Sequence, residues 1–578
     1  MLIALLRRHI RPYAGRVALV STLLFLQGIA NLYLPSLNAD IVNNGVVKGD
    51  VAYIWRTGAI MLAVTLALGV VAIAGVYWAS MTAMGVGRDI RASVFGHVQR
   101  LSERELNSFG TASLINRNTN DVQQIQIFLQ MALLFMIPAP IMCVGGVVMA
   151  LQENVSLSAL LLVVVPLMLV FIGVLLVKAL PLFQAMQERL DRINLVMREQ
   201  LTGVRVIRAF VRSPYEEQRF RQANADLTET ALSVNRMFAL ALPVLMGILN
   251  LSSVAAIWFG GHLIGQHQMP IGNLTAFLNY IMQILMAVMM AVMMVILVPR
   301  ASASATRIEE VLRAVPSIAD PDAPRRLETG TDAGVEFRNV TFGYPGGELP
   351  VLHDVSITMR PGETTAIIGG TGSGKSTILN LVTRFFDATS GRVLVGGIDV
   401  RQQALEELWS IVGVVPQKAY LFSGTVADNL RFGRIEASDA ELWHALEVAQ
   451  ATDFVAAMPG GLEAPIDQGG TNVSGGQRQR LSIARALVKR PGVYLFDDCF
   501  SALDAGTDAR LRAALRAETE HATVVIVAQR VSTVMNADRI TVLENGRIVG
   551  TGTHQALLST CDAYREIVES QLGEAAAS

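Results

Sequence analysis

Long runs of apolar residues dominate the first half of the chain. Six of them are long enough to cross the apolar core of a bilayer, and they lie near Val17–Ile41, Ile54–Val86, Ile127–Leu151, Leu157–Leu180, Met237–Ile264 and Leu274–Val298. The second half alternates helix-like segments with short β-branched runs, at Val335–Phe337, Thr364–Ile368, Val493–Phe496 and Thr523–Val527. Strands that alternate with helices predict an α/β domain with a largely parallel sheet. The pattern therefore predicts six transmembrane helices followed by an α/β domain.

Composition and charge support this division. Apolar residues make up 52% of the 578 residues and charged residues 16%, whereas soluble domains have about 25% charged residues. The net charge of −1 is the sum of +7 for residues 1–310 and −8 for residues 311–578. The total gives no bias toward a nucleic-acid partner. The three cysteines, Cys143, Cys499 and Cys561, have neither a disulfide framework nor metal-ligand spacing.

The arginines predict an orientation. They concentrate before the first span, between spans two and three and between spans four and five, while the short connections 152–156 and 265–272 have none. By the positive-inside rule, both termini are expected in the cytoplasm. The long cytoplasmic connections are expected to turn near Phe109–Asn120 and Val211–Phe220. We interpret residues 1–310 as a membrane domain, 311–334 as a linker and 335–578 as a cytosolic domain.

A phosphate-binding motif stands in the α/β half. Residues 369–376 read Gly-Gly-Thr-Gly-Ser-Gly-Lys-Ser, directly after the predicted strand Thr364–Ile368 and before a predicted helix. In this context the glycines let main-chain N–H groups surround phosphates, Lys375 reaches the β and γ phosphates, and Ser376 binds Mg²⁺. A second apolar strand ends at Asp497, whose carboxylate is a further candidate for Mg²⁺.

A third motif carries a family resemblance. Residues 472–480 read Asn-Val-Ser-Gly-Gly-Gln-Arg-Gln-Arg. Here the chain resembles the ATP-binding cassette (ABC) transporters, whose signature is usually Leu-Ser-Gly-Gly-Gln, with Val473 in place of the leucine. The resemblance implies ATP binding by Tyr344, Gly369, Gly370, Thr371, Gly372, Ser373, Gly374, Lys375, Ser376, Thr377 and Gln417. It also implies Mg²⁺ ligands at Ser376, Gln417 and Asp497, and a D-loop that contains Ser501 and Asp504.

The resemblance implies an architecture. Six helices followed by one cassette resemble a half-transporter of the multidrug and lipid exporter group, with the type I exporter fold and a domain-swapped dimer in a bacterial plasma (inner) membrane. In that family, two cassettes hold each ATP between the phosphate loop of one and the signature of the other. Ser474, Gly475, Gly476 and Gln477 would therefore act on the ATP of a partner subunit.

Two positions depart from the family pattern. After Asp497 the family normally has glutamate, which polarises the attacking water, but this chain has Asp498. Before Arg530 the family normally has histidine, but this chain has Gln529. A carboxylate that is one methylene shorter retracts by roughly 1–1.5 Å, and such misplacement costs about 10²-fold in rate. We therefore expect a catalytically impaired site, as in the degenerate-site subunits of heterodimeric exporters, such as mycobacterial half-transporters for drugs or fatty acids. The alternative is that Asp498 serves as an adequate base.

The sequence defines the substrate and the direction of transport less closely. Spans three to six contain almost no charge, so we expect a hydrophobic or amphipathic substrate and contact with membrane lipids. Span six carries Met282, Met286, Met290 and Met293 on one helical face, either as packing or as a flexible surface for apolar ligands. The leading hypothesis is ATP-driven export as one subunit of a heterodimer. Import of a lipid, fatty acid or siderophore, and an ATP-gated regulatory subunit, remain alternatives.

Overall fold

The computed structural model describes residues 1–327 and 333–577 and separates into two compact units. The first unit comprises Met1–Gln99 and Ala112–Arg313, and the second comprises Arg100–Thr111 and Ala314–Ser578. Part of the predicted linker, residues 328–332, lies outside the described residues.

Helices form the chain up to Arg313. They are α1 (Leu2–Ile10), α2 (Ala14–Asp40), α3 (Val51–Val98), α4 (Glu103–Phe109), α5 (Thr111–Asn116), α6 (Val122–Phe135), α7 (Pro138–Glu153), α8 (Val155–Ser158), α9 (Leu161–Thr202), α10 (Val204–Ala209), α11 (Ser213–Gly265) and α12 (Ile271–Arg313). A π-helical turn, Ile41–Val46, extends α2, and a second one, Arg117–Asp121, joins α5 to α6.

Six helical stretches in the described residues are long and apolar enough to span a membrane. They are Leu2–Val46, Val51–Val98, Thr111–Glu153, Val155–Thr202, Ser213–Gly265 and Ile271–Arg313. The predicted six membrane helices are thus confirmed. Each stretch has at least 43 residues, whereas about 20 suffice to cross the bilayer core. The outer surfaces are apolar, as shown by Leu162 and Trp258, which are 79% and 77% exposed.

Helix α12 supplies the centre of the helical core. Phe277 and Tyr280 are fully buried, and the Tyr280 hydroxyl donates a hydrogen bond to the carbonyl of Leu32 in α2 at 3.0 Å. Such a bond satisfies a polar group that would otherwise be costly among apolar side chains. Of the methionines on this helix, Met282 and Met286 are half exposed, while the side chain of Met293 lies outside the described residues.

The predicted turns differ from the structure. Phe109–Asn120 is helical on both sides of Gly110, which has a φ of 75°. Residues 213–220 of the second predicted turn belong to α11, because the turn is completed by Val211 with a φ of 53°. Helix α12 also continues past 310. Arg313 pairs with Glu309 one turn earlier, Nε to Oε2 at 2.8 Å, and this pair stabilises the last turn.

The second unit contains strands and helices in alternation. The strands are β1 (Val335–Phe342), β2 (Leu352–Met359), β3 (Thr364–Ile368), β4 (Ser390–Val395), β5 (Ile398–Asp399), β6 (Val412–Val415), β7 (Gly424–Thr425), β8 (Pro465–Ile466), β9 (Val493–Asp497), β10 (Thr523–Ala528), β11 (Arg539–Glu544) and β12 (Arg547–Gly552). The helices are α13 (Lys375–Val382), α14 (Leu405–Ile411), α15 (Val426–Arg431), α16 (Asp439–Val448), α17 (Thr452–Ala457), α18 (Gly475–Lys489), α19 (Ala505–Glu518), α20 (Val531–Val534), α21 (His554–Thr560) and α22 (Asp562–Ala577).

The central sheet of this unit has the order β12-β11-β3-β10-β9-β6. Strands β11, β3, β10, β9 and β6 are parallel, and β12 is antiparallel at the edge. Every residue of β10 is buried, as expected for a parallel strand covered on both faces. A second sheet has the order β2-β1-β4-β5. The predicted parallel α/β domain is confirmed. All four predicted strands are present, but residues 335–337 belong to the second sheet, where β1 pairs antiparallel with β2 and β4.

Candidate functional site

Four predicted segments meet at one edge of the central sheet. The phosphate loop follows β3, Gln529 follows β10, Asp497 ends β9, and Gln417 lies two residues after β6. These strands are neighbours and run parallel. Because their carboxyl ends share one edge, residues far apart in sequence lie side by side, and α/β proteins bind ligands at this edge.

The phosphate loop has a conformation that requires glycine at three positions, one of which is Gly372 with a φ of 83°. A Cβ on Gly369 would lie 2.0 Å from the carbonyl oxygen of Leu543. Gly374 has a φ of 99°, and its Cβ would lie 2.7 Å from Leu352 Cδ2. Lys375 then begins α13, and its Nζ donates to the carbonyls of Gly369 at 2.9 Å and Gly370 at 2.7 Å. The loop therefore holds the lysine and a helix N-terminus together, an arrangement that suits phosphate.

The electrostatics of the loop fit the same ligand. Lys375 is only 7% exposed, and burial lowers the pKa of its ammonium group, against the opposing effect of Asp498 and Asp497. The buried hydroxyl of Ser373 has no hydrogen-bond partner among the described residues. A phosphate would provide an anion for the buried cation, so the residues fit a nucleotide phosphate chain.

A cavity of about 370 Å³ lies in front of the loop. Its lining residues are Tyr344, Val351, Thr371, Gly372, Gly374, Lys375, Ser376, Thr377, Gln417, Asp497, Asp498, Val527 and Gln529. The volume falls in the range of about 300–1,000 Å³ that is typical of small-molecule sites. Of the predicted ATP-binding residues, Gly369, Gly370 and Ser373 do not line it. Val351 and Val527 do, and the sequence analysis missed them because apolar residues beside strands carry no distinguishing signal.

Tyr344 lies at the rim of this cavity. Its hydroxyl is 3.1 Å from Thr377 Oγ1, and its ring packs edge-on against Phe342 and Phe386, with centroids 4.9 and 5.2 Å apart. The side chain is still 36% exposed. An anchored and partly open ring is suited to stacking on a base.

Oxygen atoms that suit Mg²⁺ gather beside the phosphate loop. Ser376 Oγ donates to Asp497 Oδ1 at 2.8 Å, and Gln417 Nε2 donates to Asp498 Oδ2 at 3.2 Å. Burial raises the pKa of Asp497, and the neighbouring Asp498 carboxylate adds to the effect. A hydroxyl, a carboxylate and an amide are the hard oxygen ligands that Mg²⁺ prefers. The residues therefore fit the ion, with substrate phosphates as further ligands.

The main chain of Asp498 is held in place. Its φ is 45°, in the left-handed region. Its N–H donates to Val527 O at 2.8 Å, and its carbonyl accepts from Ser501 Oγ at 2.8 Å. The position of the Asp498 carboxylate is therefore set by its own side-chain length, since the main chain has partners on both sides.

The signature segment lies elsewhere in the cassette. Ser474 is the N-cap of α18, with Gln477 N donating to Ser474 Oγ at 3.2 Å and Ser474 N donating to Gln477 Oε1 at 2.9 Å. In the described cassette, none of Ser474, Gly475, Gly476 and Gln477 lines the cavity. Asp504 caps α19 through Thr507 N at 2.9 Å and also lies outside the lining.

Comparisons with known proteins agree with this geometry. Residues 17–288 match the family model "ABC transporter transmembrane region", and residues 352–501 match the model "ABC transporter". An uncharacterized ABC transporter ATP-binding protein of Mycobacterium tuberculosis is 51% identical over 99% of this chain and 98% of its own length. A fatty acid ABC transporter ATP-binding/permease protein of Mycobacterium bovis is 31% identical over 92% of this chain and 84% of its own length.

A solved structure matches the whole chain. The structure of a bacterial Atm1-family ABC exporter with ATP bound is 27% identical, has a TM-score of 0.78, and is matched over 98% of this chain and 99% of that one. Six helices long and apolar enough to span a membrane, found in the described residues, and one cassette with a phosphate loop are the parts of half of such a transporter. The chain therefore belongs to the ABC transporter family, as a multipass half-transporter with the type I exporter fold and an ATP-binding domain.

Proposed function

We propose that this chain is one subunit of a heterodimeric exporter of hydrophobic or amphipathic compounds, and that its own ATP site is degenerate. The observation that carries the proposal is the fixed main chain of Asp498. Because this main chain has partners at both its N–H and its carbonyl, it does not advance to replace the missing methylene. The attacking water is then poorly polarised, and the site binds Mg²⁺ and ATP but hydrolyses ATP slowly.

Gln529 supports the same proposal from a second direction. It lines the cavity after β10, where the family normally has histidine. A neutral amide donates a hydrogen bond to the γ-phosphate but carries no imidazolium charge. The changes at Asp498 and Gln529 both act on the γ-phosphate. This coincidence favours a slowly hydrolysing site over two independent neutral substitutions.

A partner subunit follows from the geometry of the signature. Ser474–Gln477 keep the sequence and the helix N-cap of the motif, yet they lie outside this chain's own nucleotide cavity. We propose that they complete an ATP site on a second half-transporter that supplies glutamate and histidine. A multidrug efflux ATP-binding/permease protein of Mycobacterium bovis is 32% identical over 85% of this chain, which covers 41% of that protein. That protein is long enough for two such halves.

The substrate class and direction are part of the proposal. Residues 271–299 of α12 contain no charged side chain. Relatives include the fatty acid transporter protein named above and an ATP-dependent lipid A-core flippase of Syntrophus aciditrophicus, 29% identical over 98% of this chain and 93% of its own length. These features support export of lipophilic compounds or lipids from the cytoplasmic side of a bacterial plasma membrane, with both termini in the cytoplasm.

Transport by the reconstituted pair tests this function. The partner to use is a half-transporter of the same organism with glutamate and histidine at the two altered positions. In inside-out vesicles, external ATP should drive a lipophilic dye into the lumen, and replacing Lys375 with Ala should reduce this accumulation. Loss of dye from preloaded vesicles would instead support import. Dye movement with a non-hydrolysable ATP analogue at the same sustained rate would support an ATP-gated subunit.

A further inference from the structure

The loop that carries Gln529 is bound by the last helix of the chain. Gln571, in α22, donates from Nε2 to the carbonyl of Gln529 at 2.8 Å, and its Oε1 accepts from the N–H of Val531 at 2.8 Å. One amide thus holds the main chain on both sides of Arg530. The two partners also define the orientation of the amide, since the carbonyl needs a donor and the N–H an acceptor.

The other end of the loop is held by a different helix. Arg512, in α19, donates from Nη1 to the carbonyls of Ser532 at 2.8 Å and Thr533 at 3.1 Å. Its Nε and Nη2 both bond Asp508, each at 2.9 Å. Asp508 is buried, so this two-point contact orients the guanidinium. Ser532 and Thr533 therefore have a fixed support, and Gln529 and Arg530 lie between them and the end of β10.

Gln529 is the first residue after β10, and Gln571 supports its main chain from outside the loop. Gln529 and Arg530 are both exposed, and the helix that follows them, α20, has only four residues. An exposed loop next to a short helix has few contacts of its own and is prone to local motion. The amide of Gln571 supplies two hydrogen bonds at this point.

We propose that Gln571 is a positioning residue that makes the nucleotide site prefer ATP over ADP. By holding the main chain at Gln529 and Val531, it keeps the Gln529 amide directed at the γ-phosphate. Preorganised donors contribute more to binding than mobile ones, because no ordering is needed when the ligand arrives. The inference rests on the proposed function of Gln529 as the γ-phosphate contact.

The position of α22 does not depend on Gln571. Tyr564 is fully buried and Val568 is 6% exposed, and both belong to the apolar core of the cassette. The Tyr564 hydroxyl is also 2.7 Å from His554 Nδ1. Loss of the Gln571 amide should therefore leave the helix docked, so that the variant reports on the loop and not on folding.

Nucleotide binding to the full-length protein in lipid nanodiscs tests the inference. Dissociation constants are measured for MgAMP-PNP and MgADP in four proteins: wild type, Gln571→Ala, Gln529→Ala and the double variant. Gln571→Ala should weaken the binding of AMP-PNP about fivefold, the effect of about one hydrogen bond. It should leave the dissociation constant for ADP unchanged. Glu569→Ala, an exposed change on the same helix, should alter neither. In the Gln529→Ala background, Gln571→Ala should have no further effect.

The outcomes separate this inference from the proposed function. If Gln529→Ala weakens AMP-PNP but Gln571→Ala does not, the positioning role is wrong and the proposed function stands. Equal weakening of both nucleotides by Gln571→Ala, or an effect that adds fully to that of Gln529→Ala, would also overturn the positioning role. If Gln529→Ala leaves the preference for AMP-PNP unchanged, the γ-phosphate contact itself fails, and the role of Gln571 fails with it.

Discussion

Gln417 Nε2 donates a hydrogen bond to Asp498 Oδ2 at 3.2 Å, and this contact joins two segments that are 81 residues apart in sequence. The Gln417 amide thus binds one of the two carboxylate oxygens of Asp498, and both residues line the cavity. The Asp498 N–H also donates to Val527 O, and its carbonyl accepts from Ser501 Oγ, so the carboxylate has a single supported position. This arrangement explains why a one-methylene change at residue 498 has consequences for hydrolysis.

The substitution Asp498→Glu alone should raise the ATPase rate of the purified chain less than about tenfold. The longer carboxylate reaches the attacking water but must displace the amide of Gln417, and Gln529 still lacks the imidazolium charge. Steady-state phosphate release in nanodiscs measures the effect. A rise of about 10²-fold from this single change would mean that Gln529 is not a second defect.

Substitutions of two neighbouring glycines in the phosphate loop should have different effects on nucleotide binding and stability. Gly369→Ala should abolish MgAMP-PNP binding and lower cassette stability by about 1–3 kcal/mol, because its Cβ meets the main-chain carbonyl of Leu543. Gly370→Ala is the matched control, since its Cβ would have no atom within 4 Å. Calorimetric titration and thermal unfolding measure both effects. Similar losses in the two variants would contradict the steric account.

Cys499 should resist alkylation in the folded protein. It is fully buried beside Asp498, and burial raises the pKa of its thiol well above the usual range. Since the thiolate is the reactive form, the reactive fraction at pH 8 is very small and grows only at much higher pH. Iodoacetamide labelling followed by peptide mass spectrometry should find Cys499 unmodified until urea unfolds the cassette. Rapid labelling at pH 8 without urea would contradict its burial.

Arg307 should matter more for stability than Arg221, whose ion pair is exposed. Arg307 Nε bonds the carboxylate of Asp121 at 2.8 Å, and Asp121 is fully buried, with Ser304 Oγ as a further donor at 2.9 Å. Arg307→Ala leaves a buried carboxylate without its cation, at a cost of about 3 kcal/mol. Arg221→Ala breaks an exposed pair with Glu217, in which both side chains are 70% exposed, and should cost less than about 0.5 kcal/mol. Unfolding in detergent compares the two, and equal midpoints would contradict the prediction.

The membrane helices could be predicted because a bilayer demands long apolar runs. Their full bounds could not, since hydropathy reports only the part of a helix that contacts lipid. The helices continue for many residues as polar segments, and α5 and the first residues of α11 occupy most of the places where turns were expected. The strands were predictable because β3, β9 and β10 are buried on both faces and therefore read as uninterrupted apolar runs.

The nucleotide site was predictable where a local motif carries it. The roles of Lys375, Ser376 and Asp497 could be predicted because the binding of phosphate and Mg²⁺ requires these residue types after particular strands. The contacts of Gln571 with Gln529 and of Arg512 with Ser532 join residues 42 and 20 positions apart. No local pattern in the sequence marks a single glutamine or arginine as a partner of a distant main-chain atom, so these supports emerge only from the folded chain.

The ATPase rate of this chain alone tests the central claim most directly. Wild type, Asp498→Glu/Gln529→His and Lys375→Ala are compared in the same nanodiscs. We predict that the wild-type ATPase rate lies within about threefold of the Lys375→Ala background. The rate of the double variant should exceed the wild-type rate by about 10²-fold. A wild-type rate far above the Lys375→Ala background, equal to that of the double variant, would contradict a degenerate site.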